Sequence, residues 1–272
     1  METKKQNGVK GKSRGVSAAI VLVLCAAIAV SLFLFVFGNP ANFMDNDPNN
    51  HPLPGNFLGI VYKGGPVIVL IMTLLLTVLT LSVERFFAIS KARGTGNLIN
   101  FVANVKHQLE SGSIRAAEEL CNKQKGSVAA VVSAGLKKYE EMETTKEALA
   151  KDQKLVSIQK EIEEATALEL PTMEQNLPVI ATISTLGTLF GLLGTVIGMI
   201  RSFSALATAG APDSVALSAG ISEALVNTAL GIATGACAII SYSFFTGKID
   251  NITYAIDEMG FSLVQTYAAK HN

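Results

Sequence analysis

The sequence has 272 residues, of which 49% are hydrophobic and only 16% are charged, and its mean hydropathy is +0.40. The charged fraction lies below the roughly 25% that is usual in soluble domains, which favours a membrane protein. The 22 basic and 22 acidic residues cancel, so the overall charge gives no support to a nucleic-acid partner.

Four apolar stretches are long enough to cross a bilayer, which takes about 20 residues. Because no alternating strand pattern competes with them, we predict an all-α integral membrane protein with four transmembrane helices and long cytoplasmic helical extensions. The first stretch is also compatible with a signal peptide, but its apolar run exceeds the roughly 7–15 residues of one and no clear cleavage motif follows. The predicted spans are residues 16–37, 65–83, 176–203 and 219–245.

The distribution of basic residues predicts the orientation of these spans. Five Lys and Arg precede the first span, and many more lie between the second and third. In the segment after the first span Lys63 is the only Lys or Arg, and the segment after the third span contains neither. Since basic residues stay on the cytoplasmic side, both termini are predicted to be cytoplasmic. The cytoplasmic parts are then residues 1–15, 84–175 and 246–272, and the periplasmic loops are residues 38–64 and 204–218.

The cytoplasmic segment is predicted to be helical. Gly112 followed by Ser113 is typical of a helix end and a new N-cap. Residues 144–170 are rich in Lys, Glu, Ala and Leu, which predicts a further helix. Pro171 and Pro178 are expected to bend the approach to the third span.

The sequence offers no chemistry that would indicate an enzyme, a metal site or a cofactor. Its cysteines, Cys25, Cys121 and Cys237, are interpreted as small buried side chains because two lie in apolar runs. No Cys/His cluster has metal-ligand spacing, and no nucleophile–base arrangement is evident.

The third span divides into two faces on a helical projection. Large apolar side chains lie on one face, and the other face is small or polar. The spacing of Gly187 with Gly191, and of Gly194 with Gly198, favours close helix contact. By itself this pattern supports only tight packing, although the same face also suits a polar lumen. The small and polar face comprises Ser184, Gly187, Thr188, Gly191, Gly194, Thr195, Gly198 and Ser202.

The fourth span contains one charged residue, Glu223. On an ideal helix Asn227, Thr234 and Ser241 lie within roughly 40° of it. A carboxylate inside a span costs about 2.5 kcal/mol or more on insertion scales, so it usually faces protein or water. Two interpretations stay open: a carboxylate in an ion pathway, or one near the membrane end that reaches interfacial water. The spans contain no Lys or His, so a proton carrier is expected to come from another polypeptide.

At these residues the chain resembles the ExbB/TolQ/MotA proton-channel family, and ExbB most closely. The run Leu-Gly-Thr-Leu-Phe-Gly-Leu-Leu-Gly-Thr-Val-Ile-Gly-Met-Ile that ends at Ile200 is similar to the family's second core span. Glu223-Ala-Leu, followed by Thr228-Ala-Leu-Gly231, is similar to its third. Val83-Glu84-Arg85 resembles the exit from its first.

The resemblance implies a pentamer of this subunit around a dimer of a single-span, ExbD-like partner, whose membrane aspartate takes and releases the proton. It also implies an inner-membrane location and transfer of motion through a TonB-like protein. By position, Thr195 and Thr228 match the family's pore-lining threonines and Glu223 its membrane glutamate. Thr188 and Asn227 are further candidates for the proton pathway.

The sequence departs from the family in ways that leave alternatives open. The first span is absent from the simplest members, and Cys237 stands where many have proline. Thr228 lies about 140° from Glu223 on an ideal helix, so both line one stripe only if the span bends or is lined on two sides. Alternatives within the family are a TolQ-like subunit and a gliding or flagellar stator. Outside it, a stand-alone ion channel and a membrane scaffold are the competing hypotheses.

Overall fold

The computed structural model describes residues 17–145, 149–208 and 214–271, with the side chains of 205–208 and 214–216 left aside. The predicted basic N-terminus therefore lies outside the described residues. Within them the chain forms helices and no strand, apart from one isolated bridge between Phe43 and Pro52. This confirms the all-α prediction.

Nine α-helices follow one another in the described residues, and four helical stretches are long and apolar enough to cross a membrane. These stretches lie within Ala18–Phe37, Pro66–Glu110, Lys151–Ser204 and Leu217–Lys270. The helices are α1 (Ala18–Ser31), α2 (Phe57–Lys63), α3 (Pro66–Arg93), α4 (Leu98–Glu110), α5 (Ile114–Gln124), α6 (Gly126–Thr144), α7 (Lys151–Glu174), α8 (Leu177–Thr208) and α9 (Ser214–Lys270).

The segment between the first two spans is folded rather than an open loop. Helix α1 continues into a π-helical turn, Leu32–Phe37, and packs against α3. The Asn42 side chain donates to the backbone oxygens of Val36 at 2.8 Å and Phe37 at 3.0 Å, which satisfies carbonyls left free at the end of that turn. Lys63 Nζ donates to the carbonyls of Pro48 and Asn49, so α2 is tied to the same segment.

Helix α3 starts at a sharp change of direction. Gly65 has a φ of +70°, which glycine adopts without a steric penalty, and Pro66 occupies the first helical position, where its missing N–H costs nothing. The helix then runs to Arg93, ten residues past the end of the predicted span at 83.

The predicted helical character of residues 84–175 appears as four further helices after the end of α3. Gly112 has a φ of +74°, as the predicted stop requires, and Ser113 is the residue before α5, although its side chain makes no capping hydrogen bond. The break before the third span falls at Gln175 and Asn176, between the two prolines. Pro171 is accommodated inside α7, and Pro178 lies in the first turn of α8.

A buried arginine joins α3 to this break. Arg85 is 1% exposed, and its Nη1 donates to the carbonyls of Thr172 at 3.1 Å and Met173 at 3.2 Å. Its Nε donates to Glu84 Oε2 at 2.6 Å. The guanidinium therefore satisfies carbonyls at the end of α7 that have no partner within their own helix. We call Arg85, Glu84 and these two carbonyls the arginine junction.

Helices α8 and α9 form an antiparallel pair with the most extensive contact in the molecule. Helix α9 is 57 residues long, so the predicted fourth span and the predicted C-terminal helix are one continuous element. At 1.5 Å per residue it measures about 85 Å, well over the roughly 30 Å of a bilayer core. Its second half packs against α4, α6 and α7.

Candidate functional site

The small face of α8 is in contact with α9 of the same chain. A methyl group added to Gly191 would lie 3.1 Å from the Gly231 Cα, and one added to Gly194 would lie 2.4 Å from the Asn227 Cβ. Side chains at these glycines would push the two helices apart, which is the close approach that small-residue spacing permits. We call this contact the glycine seam. Its glycines are Gly187, Gly191, Gly194 and Gly198 on α8 and Gly220, Gly231 and Gly235 on α9.

Two predicted site residues meet across the glycine seam. The hydroxyl groups of Thr195 and Thr228 hydrogen-bond to each other, and both side chains are half-buried. Each hydroxyl also lies near the Gly191 carbonyl, at 3.2 Å from Thr195 and 3.3 Å from Thr228, and Thr228 lies 3.2 Å from the Ala224 carbonyl. Since each hydroxyl has one proton and two lone pairs, the pair keeps acceptor capacity for a further partner.

Thr188 extends this line of hydroxyl groups. It lies seven residues before Thr195, which is two helical turns, so both project from the same face of α8. Its side chain is exposed, and its hydroxyl contacts the Ser184 carbonyl at 3.3 Å. We call Thr188, Thr195 and Thr228 the hydroxyl edge of the seam.

Glu223 lies elsewhere, near the end of the α8–α9 hairpin. Its side chain is 9% exposed, and Arg201 Nη1 donates to its Oε1 at 2.6 Å. A Cβ added to Gly65 would lie 3.0 Å from the same oxygen, so the carboxylate sits beside the start of α3. The positive end of a helix dipole stabilises an anion at such a position. Arg201 itself is 52% exposed.

Asn227 completes this second group. It is fully buried, and its Nδ2 donates to the Gly64 carbonyl at 3.0 Å, while its Oδ1 has no hydrogen-bond partner among the described residues. The missing side chain of Gly194 provides the space that Asn227 occupies. We call Arg201, Glu223 and Asn227, with Gly64 and Gly65, the hairpin-end cluster.

The structure thus divides the predicted site residues between two places. Thr188, Thr195 and Thr228 share the hydroxyl edge, whereas Glu223 and Asn227 face α3. This separation agrees with the angle of about 140° between Glu223 and Thr228 on an ideal helix.

Sequence reasoning gave Arg201 no partner and overlooked Gly64 and Gly65. Arg201 could have been found, because residues at similar distances from the turn of an antiparallel helical hairpin lie opposite each other. Gly64 and Gly65 gave no comparable signal, since their position depends on how α3 packs against α9.

A family model now identifies the chain. The model of the MotA/TolQ/ExbB proton channel family matches residues 123–258, which include the glycine seam, the hydroxyl edge and Glu223. The chain belongs to this family. Membership, together with four helices of membrane-spanning length, fits a multi-pass inner-membrane protein.

Individual relatives match shorter stretches. The chain is 37% identical over 86 residues to a putative biopolymer transport protein, ExbB-like 3, from Synechocystis, which is 31% of this chain and 41% of the relative. It is 36% identical over 84 residues to the Tol-Pal system protein TolQ of Pseudomonas aeruginosa, or 31% and 36% of the two chains. It is 29% identical over 140 residues to the biopolymer transport protein ExbB of Pseudomonas putida, or 52% and 42%.

These matches span about two fifths of the relatives' length, and they include proteins named ExbB and proteins named TolQ. The helices α1 to α4 and the folded segment between α1 and α3 lie outside the family match. The comparison therefore establishes the family and leaves the ExbB role and the TolQ role undistinguished.

Proposed function

We propose that the chain is the channel-forming subunit of an ExbB-type inner-membrane motor, which uses the proton motive force to energise TonB-dependent transport across the outer membrane. The observation that carries this proposal is the hydroxyl pair of Thr195 and Thr228, because both match pore-lining threonines of the family and meet at the edge of a close helix contact. The relatives named ExbB support the same role.

The assembly that follows has about five copies of this chain around a dimer of an ExbD-like single-span subunit, in contact with a TonB-like protein. Both termini and residues 84–175 are placed in the cytoplasm, and residues 38–64 and 204–218 in the periplasm, on the distribution of basic residues. The partner would supply a membrane aspartate, since the hydroxyl edge itself contains no group that titrates near neutral pH.

The hydroxyl edge suits that division of labour. Threonine hydroxyls can donate to a carboxylate and can accept from a carboxylic acid, so they can contact the partner's aspartate in either protonation state. When the partner's aspartate gains or loses its proton, the threonine hydroxyls must change between accepting from it and donating to it. One hydrogen-bonded arrangement is then replaced by another. In this scheme Glu223 is a fixed charge paired with Arg201, and it shapes the field at the periplasmic end.

A TolQ-like role is the second candidate, and the identity to Pseudomonas aeruginosa TolQ supports it. The two roles use the same channel and differ in the protein that receives the motion. Co-purification of the complex with its periplasmic partner separates them.

Proton flux into vesicles tests the channel. We expect Thr195→Val and Thr228→Val, in chains reconstituted with the single-span partner, to lower proton flux about tenfold or more, since each removes a hydroxyl without changing side-chain shape. Thr77→Val is the matched control, because Thr77 is fully buried and its hydroxyl donates to the Thr73 carbonyl of its own helix, with no second partner among the described residues. Unchanged flux in the Thr195 and Thr228 variants contradicts the channel assignment. Loss of assembly in those variants favours the scaffold hypothesis.

A further inference from the structure

A groove lies at the C-terminal end of α3, beside α4 and the second half of α9. It has a volume of about 820 Å³ between α3, α4 and α9, outside the glycine seam. Phe86 and Phe244 line one end and are 54% and 50% exposed. Arg93, Lys106 and Lys248 also line it, among apolar side chains that include Ile99 and Val102. We call this feature the α3–α9 groove.

The order of residues along the groove follows the depth profile of a lipid monolayer. Helices α3 and α9 run past it in the same direction under the proposed topology. Arg93 lies about 10 Å beyond Phe86 along α3, and Lys248 lies about 6 Å beyond Phe244 along α9, at 1.5 Å per residue. On each of these two helices an aromatic side chain is therefore followed by a cation, within roughly the distance that separates the upper acyl chains of a lipid from its phosphate.

The charges of the groove are only partly neutralised. Lys106 is paired with Glu258 at 2.6 Å. Among the described residues, neither Arg93 nor Lys248 has a carboxylate oxygen within 4.0 Å, and the ammonium of Lys248 lies 5.4 Å from the centre of the Phe244 ring. Two cations thus remain available to an anion at the boundary of the membrane, where basic side chains attract anionic lipids.

We propose that the α3–α9 groove binds an anionic phospholipid of the cytoplasmic leaflet, with its phosphate between Arg93 and Lys248 and its acyl chains against Phe86 and Phe244. The proposal rests on the orientation given under the proposed function. A soluble phosphate would use the cations and leave the aromatic walls exposed, whereas a lipid occupies both. The volume of the groove lies within the range of about 300–1,000 Å³ that is usual for ligand pockets.

Occupancy of this groove would connect the second and fourth spans through their shared lipid. The phosphate contacts one helix through Arg93 and the other through Lys248, so the lipid holds the two helices at a fixed separation. The hydroxyl edge lies on α8 and α9, and a lipid that fixes α9 against α3 would limit the movement of that edge.

Native mass spectrometry of the full chain tests the proposal. The chain is placed in nanodiscs of phosphatidylcholine with or without phosphatidylglycerol, released in mild detergent, and its retained lipids are counted. We expect the wild type to retain phosphatidylglycerol and the Arg93→Gln/Lys248→Gln variant to retain about tenfold less or lower. Lys91→Gln is the matched control, because Lys91 is a cation on the same helix that does not line the groove. It should retain the lipid like the wild type.

Further variants and measurements distinguish what fills the α3–α9 groove. The charge-preserving Arg93→Lys/Lys248→Arg variant should keep the lipid, which separates loss of charge from misfolding. Equal retention by all variants overturns the proposal, and so does displacement of the lipid by free glycerol phosphate. A glutamine variant that keeps its lipid but loses its higher assembly would show that a second copy of the chain covers the groove. Because lipid retention requires no partner and no flux, failure of the motor assignment would leave this result unaffected.

Discussion

Two arginine–glutamate pairs lie toward opposite ends of the membrane-spanning part, and their surroundings differ. At the arginine junction, Arg85 is 1% exposed and contacts two backbone carbonyls as well as Glu84. In the hairpin-end cluster, Arg201 is 52% exposed and donates a hydrogen bond to Glu223. The first arginine is buried and holds two backbone carbonyls in place, while the second remains accessible to water. The same pair of residue types therefore forms a buried junction at one end and a partly solvent-exposed ion pair at the other.

Replacing Arg85 should have the largest effect on stability. Arg85→Gln removes the guanidinium that donates to the Thr172 and Met173 carbonyls and to the Glu84 carboxylate, which keeps a 3.4 Å hydrogen bond from Asn176 Nδ2. Breaking a buried ion pair in this way costs about 3–5 kcal/mol. We expect most of the chain to be lost to aggregation or proteolysis. Yield and melting temperature in detergent measure this effect.

Two matched variants sharpen this prediction. Arg85→Lys keeps the charge but loses the planar fork of donors. Its melting temperature should therefore lie between those of Arg85→Gln and the wild type. Arg115→Gln removes an exposed arginine from α5 and should leave yield and melting temperature unchanged. A normal melting temperature for Arg85→Gln would mean that the junction does not hold α3 to the end of α7.

In the hairpin-end cluster, replacing the arginine should cost more stability than replacing the glutamate. Arg201→Gln leaves a buried carboxylate without its cation, at a cost of about 1–3 kcal/mol. Glu223→Gln leaves a half-exposed arginine that water can solvate, so its cost should be under about 1 kcal/mol. Melting temperatures of the two single variants and the double variant measure the difference. Should Glu223→Gln prove the more damaging, the carboxylate would have contacts besides Arg201 that matter more.

The contrast also shows what could be predicted from the sequence. Apolar runs and glycine spacing depend on nearby residues, and from them the four spans, the all-α fold and the close contact of α8 were predicted correctly. The meeting of Thr195 with Thr228 was consistent with the resemblance and needed no distant segment. Contacts between remote segments were not predictable in this way. Two examples are the contact of Arg85 with the end of α7 and that of Glu223 with the start of α3, since both depend on how the spans pack.

The same reasoning explains the errors at the ends of elements. The segment after the first span was expected to be a loop, but Asn42 and Lys63 bind carbonyls that no local pattern indicates. The predicted periplasmic loop at 204–218 overlaps two helices, because α8 continues to Thr208 and α9 begins at Ser214. Helices extend past the membrane wherever their backbone stays hydrogen-bonded, and hydropathy does not detect that continuation.

The smallest effect on stability is expected at a third ion pair, which is partly exposed to solvent near the C-terminal end of α9. Lys270 Nζ is 2.6 Å from Glu143 Oε1, with exposures of 47% and 24%. Solvent screens such a pair, so Lys270→Gln should change the free energy of unfolding by less than about 1 kcal/mol. That change should also fade between low salt and about 1 M salt, where the screening length falls to roughly 3 Å. The Arg85→Gln deficit should persist at every salt concentration, because the junction is shielded from ions. Melting curves across a salt series compare the two directly, and a salt-insensitive Lys270 effect would mean that this pair, too, is held by burial.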